Sequence, residues 1–565
     1  MRVWVGLIAG LLLSVSGVAV GAQQLRGTVT DSTSRQPIPG AVLMLLDSSG
    51  TVLGRNITNE RGEYRVGLTS GMRRIRVVRI GFRPSEASIP TATGATTVLD
   101  VVMRALPTLL EPIRVSAGAH CPRRSDDATT FALLEQVRAG LLAIVVAREA
   151  NPATLVRLTF EREMDGTSER IASQLVRIDS SVNTTNSFNA AQSATDFVQR
   201  GFMSDSESHH IFYAPDADVL LDEGFSAGYC FRIVDPDRGR PNQIGLGFSA
   251  ADRRRNRVDI EGTLWVDTVA RVLRDIEHRY VGLDRRIEAM RPGGHITFRE
   301  MANGIVMIDR WSLRLVGGRS DTVHPPPFTQ RGRIQVPPAE IRVTLRAAEN
   351  GGEVARASWP DGSAWHASLG TLRVHAVTSD GRPAVGTPIR LVDTQYRAIA
   401  DSAGDFEISD LIPGPYSLAI SDQQLAPLRL EILPPLRFVA ERDSTIRQSI
   451  VVVTAEEFVI GRCVANRRYT AGDRVLLFGR ALLADGTPVG GLTIALHQEV
   501  GRVKKPLPEA YTTESDGLFQ FCGRGLEPGM SITVEASRDG AAVSQSTMVL
   551  GDRLTVVRLP IATRQ

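Results

Sequence analysis

Hydrophobic and polar residues alternate along most of this chain, the two-residue period of half-buried strands. After a leading apolar run, LRGTVTD (25–31), AVLMLLD (41–47) and RRIRVVRIGF (73–82) each place apolar side chains on one face, and PIPG (37–40) and NERGEY (59–64) supply turns between them. These predict a small antiparallel β-sandwich. Further on, LVRLTFERE, ERIASQLVRI, SHHIFYA, GYCFRIV, RVDIEGTLWVD, RVLRDIEHRYVG, GGHITFRE and GIVMIDRWSLRLVG read as strands, the last four as consecutive hairpins. One segment breaks the period. TTFALLEQVRAGLLAIVVAREA, residues 129–150, carries apolar side chains at helical spacing, with Thr129 or Thr130 placed to cap it and Glu135 and Glu149 on its polar side. A curved sheet wrapped around that amphipathic helix buries both.

The first pattern recurs. From Leu372 the chain reads LRVHAVTSDGRPAVGTPIRLVD and then ADSAGDFEISDLIPGPYSLAIS; from Leu477 it reads LFGRALLADGTPVGGLTIALHQ and then TTESDGLFQFCGRGLEPGMSITVEAS. Each copy runs strand, Gly/Pro turn, strand, hairpin with an aromatic, and Gly turn. The anchors align as Gly62, Tyr64 and Gly71; Gly404, Phe406 and Gly414; and Gly517, Phe519 and Gly529. A repeat of this kind marks a modular array.

The residues G-x-V-x-D, P-I-P-G-A-x-V, T-x-x-x-G-x-Y and the IGFRP ending, from Gln24 to about Leu106, resemble the carboxypeptidase regulatory-like domain. That resemblance implies a transthyretin-like β-sandwich of the kind found in bacterial envelope proteins and at the N-termini of TonB-dependent receptors; the following LPTLLEPIRVSA is similar to the segment after the module in such receptors. The copy from Gly370 shares less of the signature, and the last copy less again. The G-x-L-W-V-D strand and the meander after it resemble the lipoprotein-carrier half-barrel of the bacterial periplasm. Module, cysteine, helix, C-F strand and meander together resemble a group of secreted bacterial proteins, for which the likeness implies an arrangement and no activity. The name of the domain implies no peptidase. Two zinc ligands on one short segment plus a distant third are needed, and none of the nine histidines is followed by glutamate three residues on. No series of membrane-length strands fills the C-terminal half, and RLPIATRQ lacks a terminal aromatic, so a receptor barrel is not expected.

Composition adds a compartment. MRVWVGLIAGLLLSVSGVAVGAQQ has the charge, apolar run and small-residue site of a secretory signal peptide cut after Ala22. Later, LLAIVV (141–146) is too short for the roughly 20 residues that span a bilayer. An exported protein without a transmembrane segment, in the periplasm, associated peripherally with the outer membrane, or extracellular, is expected. Removing Arg2 with the leader turns 65 basic against 62 acidic side chains into 64 against 62, a balance that argues against a broad electrostatic grip on nucleic acid or anionic lipid. Four cysteines lack the C-x-x-C pair of a thiolate metal site and read from domain placement as two disulfides within domains, Cys121 with Cys230 and Cys463 with Cys522, although four cysteines leave two other pairings open.

Several short stretches offer chemistry. GFSAG (224–228) has the spacing of a nucleophile elbow, but an elbow needs a buried strand before the serine and a helix after it; PDADVLLDE precedes and a strand-like YCFRIVD follows, so Ser226 reads as a turn residue placing Cys230. Asp216, Asp218, Asp222 and Glu223 read as a solvated acidic loop, without the glycine turn and donor count of a calcium loop. His209 and His210 face opposite sides of a strand, and RRRNR (253–257) reads as a solvated turn. Trp265 and Trp311 read as core; Trp359 and Trp365, in SWPDGSAWH, are the candidate ligand contacts, a stacking platform for sugar if exposed. No catalytic residue, metal or cofactor is expected.

The expected organisation is mainly β and multidomain: signal peptide 1–22, regulatory-like sandwich 23–106, linker 107–120, an α+β half-barrel-like domain 121–317 with helix 129–150, linker and extra strands 318–369, a second sandwich 370–455 and a third, divergent one 456–565. The expected function is a non-enzymatic envelope protein whose sandwiches bind or space a protein, glycan or lipid partner. The alternatives are a carrier of lipid or another hydrophobic ligand, with an open apolar cavity between Leu133, Leu141, Val145 and the sheet, and a carbohydrate binder.

Overall fold

The computed structural model describes residues 23–562 apart from 91–94, 107–127, 166–169, 183–193, 207–208, 252–256, 324–327, 331–332, 336–339, 431–435, 466–474 and the single positions 302, 421, 423, 502 and 524. The expected signal peptide 1–22, the 107–120 linker, Cys121 and Arg253 to Asn256 lie outside the described residues. The chain is mainly β with one long helix, and it divides into two compact units: residues 1–155, 181–317 and 357–365 form one, and 156–180, 318–356 and 366–565 the other.

Three sandwiches repeat one topology. In the first, Gln24–Asp31 pairs antiparallel with Glu63–Gly67 and parallel with Thr96–Val98 and Val101–Met103. In the second, Gly370–Thr378 stands between Asp405–Leu411 and the parallel Thr445–Val452. In the third, Leu476–Leu482 stands between Leu518–Cys522 and the parallel Leu554–Pro560. The facing sheets likewise share one order: Val52–Ile57, Val42–Leu46, Arg74–Val78, Ser85–Ser88 in the first, and its equivalents from Arg397–Ile399 to Leu436–Ala440 and from Val503–Thr512 to Ala541–Val549. The sandwiches are therefore antiparallel except where the last strand returns beside the first.

The aligned anchors explain the repeat. Gly62, Gly404 and Gly517 have φ of +68°, +81° and +76°, a region that only glycine occupies without strain. Their carbonyls accept hydrogen bonds from Val29, Ala376 and Ala481 N–H at 2.8, 2.8 and 2.9 Å, which locks each hairpin to the first strand. The aromatic two residues on, Tyr64, Phe406 or Phe519, lies opposite Gly27, Val374 or Gly479 and fills the same core position.

In the first unit six antiparallel strands, Tyr229–Val234, Gln243–Ala250, Asp259–Asp267, Val272–Val281, Gly293–Glu300 and Val306–Val323, follow one another as a meander. Register shifts at Trp265/Val266 and Thr297/Phe298 are bulges of the kind that curve a sheet. The long helix, Ala128–Ala150, lies on its inner face: Leu133, Val137, Leu141, Ile144 and Val145 share a core with Leu246, Phe248, Ile260, Leu264, Ile276 and Ile296. Thr129 and Thr130 sit inside the first turn rather than ahead of it.

The helix is less amphipathic than its spacing implies. Every residue from Ala143 to Ala147 is buried, because a second partner covers its back: Ala139, Ala143 and Val146 pack against Val42 and Val78 of the first sandwich. Ile80 enters the shared core beside Leu133, Gly140 permits that approach, and Gln136 Oε1 accepts from Gly81 N–H at 2.7 Å. Arg79 adds an ion pair to Glu300 at 2.9 Å. By length and composition this helix could cross a membrane; here it is the core helix of the first unit.

The second unit departs from the expected boundaries. Residues 156–180 belong to the second unit. Strands Thr154–Met164, Ile171–Val182 and Glu340–Ser358 lie side by side, and Leu158, Phe160, Val176 and Ala355 complete the core of the second sandwich. Gln174 Nε2 donates to Pro415 O at 3.0 Å, and Arg442 pairs with Glu353. The segment 318–369, expected as linker with extra strands, is largely strand for the same reason: its apolar alternation has a partner. Helix Ala455–Ala465 joins the second and third sandwiches, packing Ala455, Val459 and Cys463 against Leu476, Phe478 and Leu518. Cys463 and Cys522, 59 residues apart, are joined by a disulfide in that core. Cys230 is also disulfide-bonded; its expected partner, Cys121, is outside the described residues.

Candidate functional site

GFSAG does not form an elbow. Residues Glu223–Gly228 are a single helical turn, started by Asp222, whose carboxylate accepts from Gly224 N–H at 2.7 Å, and preceded by the short helix Ala217–Leu221 instead of a strand. Ser226 Oγ accepts from Arg138 Nη1 at 2.9 Å. The expected turn is thus a short helix, formed because Asp222 satisfies its first N–H groups. The acidic loop is also helical. Asp216 caps the first of these helices by accepting from Val219 N–H at 2.8 Å, and burial pushes its carboxyl up to about 6. Asp218 pairs with Arg148 at 3.1 Å. Three of the four carboxylates expected to be solvated therefore have structural work.

His209 and His210 lie on strand His209–Phe212, paired with Met203–Ser206. Trp311 belongs to the helix–sheet core, whereas Trp265 is buried on the opposite face beneath the Arg240 guanidinium, 4.6 Å from its ring centre. Trp359 is 6% exposed. Trp365 is half-buried, with Arg299 over its ring at 5.5 Å. The two do not form an open stacking platform. Leu133, Leu141 and Val145, at most 4% exposed, pack in the core that the helix shares with the sheet.

On the outer face of the meander Asp275, Glu277 and His295 converge within 4.8 Å of one another. Arg240 already serves them, donating to both Asp275 oxygens at 2.9 Å and to Glu277. Asp275 is held below the ordinary carboxylate range, against the opposing effect of its burial, by hydrogen bonds from His295 and Arg240. The arrangement is an ion-pair network in which a guanidinium takes the place a cation would need.

A groove of about 1040 Å³ opens further along the same face. Strand Tyr229–Val234 contributes Arg232, strand Asp259–Asp267 contributes Asp259 and Glu261, strand Val272–Val281 contributes Arg279, and the following 282–292 loop contributes Arg285, Glu288 and Arg291. Asp259 receives Arg257 at 2.8 Å and the Tyr229 hydroxyl at 3.2 Å; Glu261 receives Arg279. The Tyr229 hydroxyl is pushed well above its ordinary value, by burial first and by Asp259 second. Sequence reasoning singled out RRRNR, of which only Arg257 is described in this groove. It missed Arg232, Arg285 and Arg291, because cross-strand neighbours lie far apart in sequence.

Among solved structures, the chain is similar to a streptococcal ancillary pilin at 12% identity, covering 40% of this chain and 82% of that one with a TM-score of 0.16. It is similar to the minor pilin GBS52 of Streptococcus agalactiae at 10% identity, covering 34% and 96% with a TM-score of 0.14. The major pilin subunit of Bacillus cereus is 9% identical, covering 76% and 99% with a TM-score of 0.14. Likeness at this level carries no argument about activity. No curated protein matches the chain. Residues 24–104 match the carboxypeptidase regulatory-like domain family, and those residues fold as the first β-sandwich. The chain therefore carries a carboxypeptidase regulatory-like domain at residues 24–104.

Proposed function

We propose that this is a non-enzymatic binding or scaffolding protein of the cell envelope. The observation that carries the reading is the packing of the first unit: the inner face of the meander is occupied by the long helix, and the back of the helix by the regulatory-like module. A carrier needs empty apolar volume where Leu133, Leu141 and Val145 are packed. The disulfide in the second unit favours an oxidising compartment, in line with the leader. Partner recognition by strand addition is favoured at Ala541–Val549, an uncharged, proline-free outer strand, AAVSQSTMV, of the third sandwich. The opposite outer strand, Val503–Thr512, is guarded by Lys504, Lys505, Pro506 and Pro508.

Native mass spectrometry of residues 23–565, purified gently from an envelope fraction, tests this reading. A mass equal to the bare polypeptide, under conditions that keep lipid on a control carrier, is the expected result. A discrete lipid-sized adduct would restore the carrier reading.

A further inference from the structure

We propose that the groove on the outer face of the meander binds a phosphate group with two negative charges, as the head of a larger ligand. Five arginines, Arg232, Arg257, Arg279, Arg285 and Arg291, and three carboxylates, Asp259, Glu261 and Glu288, line it, so its formal charge is five minus three, or +2. The cations are not equivalent. Arg257 and Arg279 are paired with Asp259 and Glu261, as Arg240, Arg274 and Arg299 on the same sheet are paired with Asp275, Asp267 and Asp309. Arg232, Arg285 and Arg291 are exposed and have no carboxylate partner among the described residues.

These three line one groove, and the backbone from which they project is fixed. The Arg232 side chain lies along its strand neighbour Gly247, where an added Cβ would stand 3.2 Å from Arg232 Cγ and 3.4 Å from Cζ. Arg285 and Arg291 belong to a loop tied down at both ends: Arg286 N–H bonds the Asp284 carboxylate at 2.9 Å, Arg291 N–H bonds Glu288 O at 2.9 Å, and Tyr280 N–H bonds Pro292 O at 3.1 Å. Arg291 adopts φ of +52° there, a conformation an arginine rarely takes unless its surroundings impose it. Three guanidinium groups facing one groove present planar pairs of donors, and phosphate offers the oxygens to accept them bidentately. A phosphomonoester carries between one and a half and two negative charges at neutral pH, roughly the opposite of the groove's own charge. The volume is on the scale of sites that hold whole small molecules, so the phosphate is one end of the ligand.

The phosphate can come from a soluble compound or from a lipid headgroup, and two probes separate them. Calorimetric titration with pyrophosphate and co-sedimentation with phosphatidylcholine vesicles containing phosphatidic acid are run on the full mature chain. The same measurements are made on the triple variant Arg232→Gln, Arg285→Gln, Arg291→Gln. A control, Arg55→Gln, Arg61→Gln, Arg83→Gln, makes the same charge change on exposed positions of the first sandwich. Binding of pyrophosphate that falls at least about tenfold in the groove variant and persists in the control supports a soluble phosphate ligand. Binding to the vesicles alone, with the same loss, supports a headgroup. Binding of neither probe, or equal loss in both variants, overturns the proposal.

Discussion

His278 faces the core of the first unit beside the Tyr280 ring, and neither ring nitrogen has a hydrogen-bond partner among the described residues. Burial, with a smaller contribution from His295, pushes it down from the ordinary 6.5 to about 3. The unfolded chain therefore takes up a proton that the folded chain refuses, and stability falls as pH drops from about 6.5 toward about 3. Comparing urea unfolding of the wild type with that of His278→Leu should show the variant gaining about 3 kcal/mol between pH 7 and pH 4; a constant difference would sink this account. Asp216 works in the opposite sense, because its carboxyl titrates near 6 in the folded chain: its contribution is present in acid and lost as pH rises through 6. Asp216→Asn keeps a capping oxygen and should raise stability at pH 8 by about 2 kcal/mol while changing it little at pH 4. Gly404 offers a steric test. A Cβ there would lie 2.3 Å from Ala376 O in a left-handed backbone, so Gly404→Ala should cost at least about 2 kcal/mol in the second sandwich. Its role was legible in the sequence because three copies placed glycine at the same point.

At the scale of elements, alternation revealed which face of a strand is buried but not what buries it. The meander and the 128–150 helix were legible, as was the three-fold repeat. The departure of 156–180 to the second sandwich was not: LVRLTFERE alternates equally well whichever sheet it meets, and only Leu158 and Phe160 against that core decide the matter. The burial of Trp359 was not legible for a related reason, since the sequence around a ring does not say whether it points outward. Nothing in the spacing of the helix marks Gln136, yet its oxygen satisfies the buried Gly81 N–H. Gln136→Ala should cost about 2 kcal/mol, measured by denaturation, with Gln136→Glu no substitute because a buried carboxylate adds its own desolvation cost. The Cys463–Cys522 bond closes a 59-residue separation, and its removal by paired serine substitution should cost about 4 kcal/mol, lowering the unfolding midpoint of the third sandwich.

For the molecule, the consequence is two units in which sandwiches are built into larger cores rather than carried on loose tethers. In the first, the regulatory-like module covers the back of the long helix; in the second, the disulfide-bonded helix 455–465 and the strands 156–180 serve the other two sandwiches. Modular sequence repeats invite the expectation of independent domains, and the apolar residues that tie them to their neighbours come both from the repeats' own strands, Val42, Val78 and Phe478 among them, and from helices outside the repeat. Hydrogen exchange followed by mass spectrometry on Ala143→Asp, which puts a charge between the helix and the first sandwich, tests this most directly. The account predicts that protection is lost together in segments 42–46 and 74–78 of the sandwich and in segments 259–281 of the meander. Loss confined to the helix, with both sheets exchanging as in the wild type, would contradict it.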